Sequence, residues 1–77
     1  MPYATIDDLP PSVRHHLPPH AQEIYRSAFN NAWRRYADAG PARREEITHR
    51  IAWAAVKRSY TKVGDAWLPV EAARPGA

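Results

Sequence analysis

From Ala21 to Tyr36 apolar side chains return at alternating steps of three and four: Ala21, Ile24, Tyr25, Ala28, Phe29, Ala32, Trp33 and Tyr36. That spacing keeps one stripe on an α-helix for about four turns, and the two-residue alternation of a strand does not fit it. Pro19 suits a first helical position, where a missing N–H costs nothing, and Gly40-Pro41 ends the segment. A second long helix is expected after Pro41. Its inward stripe reads Thr48, Ile51, Ala52, Ala55, Val56, Ser59, Tyr60 and Val63, with Gly64 as the C-terminal cap. Several of these residues are small, so the aromatics of the preceding helix can approach closely along them. Glu45 and Glu46 lie near the N-terminal end, and Lys57, Arg58 and Lys62 toward the C-terminal end, the polarity a helix dipole favours.

A shorter helix comes first. Asp7 or Asp8 can cap it, Pro10 or Pro11 falls in its first turn, and Leu9, Val13 and Leu17, spaced at four, form its apolar edge. It stops near His16, because Pro18 disfavours a helical Leu17. Asp65 to Val70 is too short for an amphipathic helix and reads as extended, pairing with Tyr3 to Ile6 while Trp67 folds back onto the helices. Asn30 and Asn31 read as exposed positions unless one of them caps a neighbouring loop. The pattern therefore predicts a mainly α fold: a compact three-helix domain, one helix short and two long, with short strand pairing at the ends. It spans 1–70, and 71–77 form a flexible tail.

The chain has 77 residues and no cysteine. A domain of this size buries roughly 60% of the surface of its unfolded form, and no disulfide or thiolate–zinc site can reinforce it. The core must come from bulky side chains: Trp33, Trp53, Trp67, Tyr3, Tyr25, Tyr36, Tyr60 and Phe29. No basic start followed by an apolar run marks a signal peptide, and the longest apolar-rich window, Ile51 to Val56, falls far short of the about 20 residues of a membrane span. The expectation is a soluble, cytoplasmic, monomeric protein.

Charge is concentrated in one element. Residues 1–40 balance, whereas Arg43, Arg44, Arg50, Lys57, Arg58 and Lys62 face only Glu45 and Glu46 between Pro41 and Val63, a net of +4 within the overall +3. An anionic partner should meet that helix. Arg43, Arg50 and Lys57 line its outer face, with Arg58 and Lys62 to one side, and the plain alternative is a solvated face that keeps a small protein in solution. His49, Trp53 and Lys57, again spaced at four, form an edge; Trp53 serves there either as an interface anchor or, the preferred assignment in so short a chain, as core.

Other chemistry finds little support. His16 and His20 have helical ligand spacing, but Pro18 and Pro19 interrupt any shared helix, and no metal site is expected from them with His15 and His49. His20 reads instead as a polar packing residue at the start of its helix. Asp7-Asp8 and Glu45-Glu46 are adjacent pairs rather than the alternating ligands of a calcium loop. Ser12, Ser27 and Ser59 lack a glycine-rich elbow, and Gly40, Gly64 and Gly76 build no phosphate cradle. No enzyme and no cofactor are expected.

The words of the chain are more specific than its chemistry. MPY, DLP (Asp8 to Pro10), LP-x-HAQ-x-IY (Leu17 to Tyr25), AFN-x-AW (Ala28 to Trp33) and REE (Arg44 to Glu46) followed by AWAAVK (Ala52 to Lys57) occur in order. Together they resemble the ChaB family, over about Met1 to Tyr60. The resemblance implies a compact three-helix domain and a role in regulating a cation/proton antiporter. The partner-binding residues expected on that reading are Arg50, Lys57 and Arg58, with His49 and Trp53 at the edge. The alternative is a nucleic-acid-binding module that uses the same basic helix.

Overall fold

In the computed structural model, which describes residues 2–73, the chain opens with a 3-10 turn at Ile6–Asp8 and a one-turn helix, α1 (Pro11–Arg14). Asp8 does not cap α1. Its Oδ2 accepts from the Thr5 N–H at 3.1 Å and the Thr5 hydroxyl at 3.3 Å, closing the 3-10 turn. The N-cap of α1 is Pro10, with Pro11 in the first turn. The helix stops at Arg14, short of the expected His16, and Gln22 Nε2 donates to the carbonyls of Arg14 (3.2 Å) and Leu17 (2.8 Å) that the break leaves open.

α2 (Pro19–Arg35) and α3 (Pro41–Ser59) are the two long helices, joined by a short turn and packed along their length. Tyr36 lies beyond the end of α2 and is exposed, so the apolar stripe closes at Trp33. Arg44, in the first turns of α3, fixes the corner. Its guanidinium donates from Nε to the Trp33 carbonyl at 2.9 Å and lies 3.8 Å over the Trp33 ring. One side chain thereby satisfies a terminal carbonyl of α2 and makes a cation–π contact.

α3 ends at Ser59, four residues before the expected Val63. Tyr60 is extended (φ −132°, ψ 150°) and begins β1 (Tyr60–Val63), which pairs antiparallel with β2 (Ala66–Pro69), Val63 opposite Ala66 and Tyr60 opposite Pro69. Residues 60–63, rich in aromatic and β-branched side chains, favour a pleated ribbon. Gly64, at φ +62°, is the first residue of the two-residue turn rather than a helix cap; a left-handed conformation there suits glycine. The expected strand pairing at the ends is therefore local. Residues 65–70 do not pair with Tyr3 to Ile6, and Ser59 and Val63 are exposed rather than inward. After the hairpin, Val70–Ala73 makes one helical turn, α4, where the sequence reads as tail from 71 on; 74–77 lie outside the described residues.

Tyr3 is held without a strand. The Asn30 side-chain amide accepts from the Tyr3 N–H and donates to the Tyr3 carbonyl, both at 2.9 Å, and Arg26 Nη1 donates to the carbonyls of Tyr3 (3.2 Å) and Ala4 (3.1 Å). Asn30 is thus the residue that secures a neighbouring segment. The core consists of Leu9, Val13 and Leu17 beneath Ala21, Tyr25, Phe29, Ala52, Val56 and Tyr60, with Tyr3, Trp33, Trp53 and Trp67 packed around it. Thr48 is fully buried, its hydroxyl donating to the carbonyls of Arg44 (2.8 Å) and Glu45 (2.9 Å).

Candidate functional site

An α-helix turns 100° per residue, so the five residues expected to bind a partner cannot share one face of α3. Thr48, Ala52 and Val56 point into the core, leaving two flanks and an outer side. Arg50 and Lys57 occupy the outer side, His49 and Trp53 one flank, and Arg58 the other. The outer side is open to solvent, and Arg50 Nη2 contacts Glu46 Oε1 at 3.0 Å. Lys57, Arg58 and Lys62 are exposed and make no ion pair among the described residues. Lys57 and Lys62 border a shallow hollow beside Trp67.

The His49–Trp53 flank is closed by aromatic packing. Trp53 meets Tyr25 edge-on at 5.4 Å and Trp67 at 5.8 Å, and His49 lies 4.9 Å from Phe29. His49 Nε2 donates to Glu45 Oε1 at 3.3 Å, which leaves Nδ1 to accept from the Tyr25 hydroxyl. Both residues are half-buried at the rim of the core rather than displayed as free anchors. Burial, with smaller contributions from Tyr3 and Glu45, holds the Tyr25 hydroxyl well above the usual tyrosine range, and Tyr3 is raised as well, by burial and then Glu45. A phenol that ionises later in the folded state than in the unfolded chain contributes stability in full below about pH 10 and loses it as pH rises further. The melting temperature should therefore fall between pH 9 and pH 11, and fall less in Tyr25→Phe; thermal scans at the two pH values check this.

The Arg58 flank is open. Ile24 and Ala28 of α2 face Ile51 and Ala55 of α3 across a groove whose central hollow measures about 450 Å³, with Asn31 and Arg35 on its α2 side and Arg58 on its α3 side. Shared lining by Ala28, Asn31, Ala55, His20 and Arg58 makes the neighbouring hollows continuous with it, as far as the start of α4 at Val70. Ile24, Ala28, Ile51 and Ala55 belong to the apolar stripes, and nothing in the sequence pattern marks Arg35. A readable signal existed: each stripe is wider than the i, i+4 row that is fully buried, so a strip of each is left over once the helices pair.

The histidines are dispersed. His16 Nδ1 donates to the Ser12 carbonyl at 2.6 Å, His20 Nδ1 is hydrogen-bonded to the Tyr60 hydroxyl at 3.0 Å, and His49 belongs to the aromatic flank. His20 thus packs at the start of α2, and no group of three metal-ligating side chains converges among the described residues.

The chain resembles known proteins over most of its length. The family model described as ChaB matches residues 9–69. The protein named "Putative cation transport regulator ChaB" of Escherichia coli (strain K12) is 55% identical over 69 residues, covering 84% of this chain and 91% of the relative, and the protein of the same name from Shigella flexneri gives the same figures. A solved structure described as "NMR solution structure of the putative cation transport regulator ChaB" superposes with a TM-score of 0.79 at 52% identity, covering 88% of this chain and 97% of that one.

Proposed function

Because the chain belongs to the ChaB family, we propose that it is a regulator of cation transport that acts by binding rather than by chemistry, docking on a cation/proton antiporter through the basic surface of α3. The observation that carries this reading is a set of exposed cations that make no ion pair among the described residues, Lys57 and Arg58 at the C-terminal end of α3 and Lys62 on the adjoining β1. Such cations keep their field for a partner and steer its approach. Arg50 joins them at little cost, because its contact with Glu46 is between largely exposed groups, and pairs of that kind are worth little. His49 and Trp53 support this surface from the edge as parts of the aromatic flank. No described helix is long and apolar enough to cross a membrane; on this reading the contact is made at a water-exposed loop or terminus of the transporter, on its cytoplasmic side. The names of the relatives support the regulatory role.

A titration of purified antiporter in detergent tests the surface. Lys57→Glu combined with Arg58→Glu should weaken binding at least tenfold, about 1.4 kcal/mol, while helicity and melting temperature stay unchanged because both side chains are exposed. Unchanged binding contradicts the assignment. The same titration against a short DNA duplex tests the nucleic-acid alternative, in which affinity falls log-linearly with salt as phosphate counterions are released. For a single strand that alternative has less support: stacking on bases needs free ring faces, whereas Tyr3, Phe29, Trp33, Trp53 and Trp67 pack against one another or against Tyr25 and Arg44, which leaves Tyr36 as the exposed ring among the described residues.

A further inference from the structure

We propose that the open groove between α2 and α3 receives an acidic amphipathic helix of the partner, apolar side chains seated on Ile24, Ala28, Ile51 and Ala55 and carboxylates on Arg35 and Arg58. This inference rests on the reading of the protein as a docking regulator and names the element it would receive. The two flanks of the α2–α3 pair differ: one is covered by the N-terminal segment, α1 and the hairpin, while the other leaves two isoleucines and two alanines half-buried along adjoining hollows, the central one about 450 Å³. The walls are helices, whose backbone groups are already paired, so a strand cannot add to them and recognition falls to side chains. Residues 20–35 of α2 cover about four turns, near 22 Å, a length that a partner helix of similar size can follow.

The charge of the rim selects the sign of that helix. Arg35 and Arg58, one from each wall, make no hydrogen bond or ion pair among the described residues. Arg34, next to them, donates to Asn31 on the same rim. No acidic side chain lines the central hollow among the described residues; Glu23, in the adjoining hollow, is paired with Arg26 at 2.7 Å, and Glu71 lies at the far end beside Val70. An apolar floor between two unpaired guanidinium groups complements a helix with a leucine face and flanking carboxylates, and opposes one flanked by lysines.

The test is an NMR titration of the full chain with a synthetic helical peptide of about four turns, leucines on one face and glutamates on both flanks, against a control with lysines in place of the glutamates. The expected result is saturable shifts at the amides of Ala28, Ile51 and Ala55, with the lysine peptide binding at least tenfold more weakly. Arg35→Glu should weaken the acidic peptide at least fivefold, and Ala55→Lys, which fills the floor without adding negative charge, should abolish binding. Arg35 is exposed, so its variant keeps the test decisive if Ala55→Lys disturbs the fold. The proposal is overturned by shifts confined to Lys57–Lys62, by equal binding of the two peptides, or by groove shifts that appear on concentrating the protein alone. It is equally overturned if anionic phospholipid vesicles or a DNA duplex occupy the groove and the acidic peptide does not. Retained antiporter binding by Arg35→Glu and Ala55→Lys, with loss in the Lys57/Arg58 variant, would discard the groove and leave the regulatory reading standing.

Discussion

Phe29→Ala is expected to remove about 3–5 kcal/mol, a large share of the stability of the fold. The ring is fully buried and lies at the centre of the aromatic cluster, 4.8 Å from Tyr3, 4.9 Å from His49, 5.9 Å from Trp33 and 6.2 Å from Tyr25. Truncating a buried phenylalanine costs about 3–5 kcal/mol, since lost transfer energy and an unfilled cavity add. A domain of this length has a total stability of roughly 4–12 kcal/mol, and no disulfide compensates. The neighbours cannot collapse into the space cheaply, because Tyr25 is tied to His49, and Tyr3 to Asn30 through its backbone. Urea unfolding followed by circular dichroism measures the loss; a variant within 1 kcal/mol of wild type, less than the cited cost, would show that the cluster is not the centre of the core.

Asn30→Leu is expected to cost about 2 kcal/mol, because it removes a matched pair of hydrogen bonds and leaves the half-buried Tyr3 N–H without its acceptor. Leucine is close to asparagine in size, so the effect reports on the polar fork rather than on volume. Arg26 still donates to the carbonyls of Tyr3 and Ala4, so the segment loosens without detaching completely. Exchange of the Tyr3 amide with solvent should accelerate about 30-fold, the equivalent of that energy. An unchanged exchange rate would mean that ring packing on Phe29 alone holds the segment.

The two long helices are legible because their period is a local property: Ala21, Tyr25, Phe29 and Ala32, then Thr48, Ala52 and Val56, recur at three or four and are the residues found buried. The end of α3 is not. Tyr60 lies on the same helical row as Val56 and stays buried as an extended residue, so periodicity carries across a boundary that the following Thr61-Lys62-Val63-Gly64 sets. The partner of β2 is hidden for a related reason. An extended segment declares its shape, whereas the choice between a hairpin and a distant strand depends on the turn, and Gly64-Asp65 supplies one. Asn30 and Arg44 act across 27 and 11 residues, which no local pattern encodes.

The candidate surface was legible only in part. The excess charge of α3 is plain in the sequence, but Lys57 and Arg58, adjacent in the chain, are 100° apart on the helix and serve different sides. His49 and Trp53 share their stripe with Lys57 and are nevertheless drawn into the aromatic flank, because Tyr25 and Trp67 arrive there from elsewhere in the chain. The groove exists only once the helices are paired, so it lay outside what either stripe could announce alone.

Cation flux through a purified cation/proton antiporter reconstituted in vesicles, measured with this protein on the outside at low and physiological salt, tests the central claim most directly. The account predicts a saturable change in rate with the wild-type chain that is lost with Lys57→Glu combined with Arg58→Glu. An equal response to both chains, or a rate that neither one alters, would contradict it.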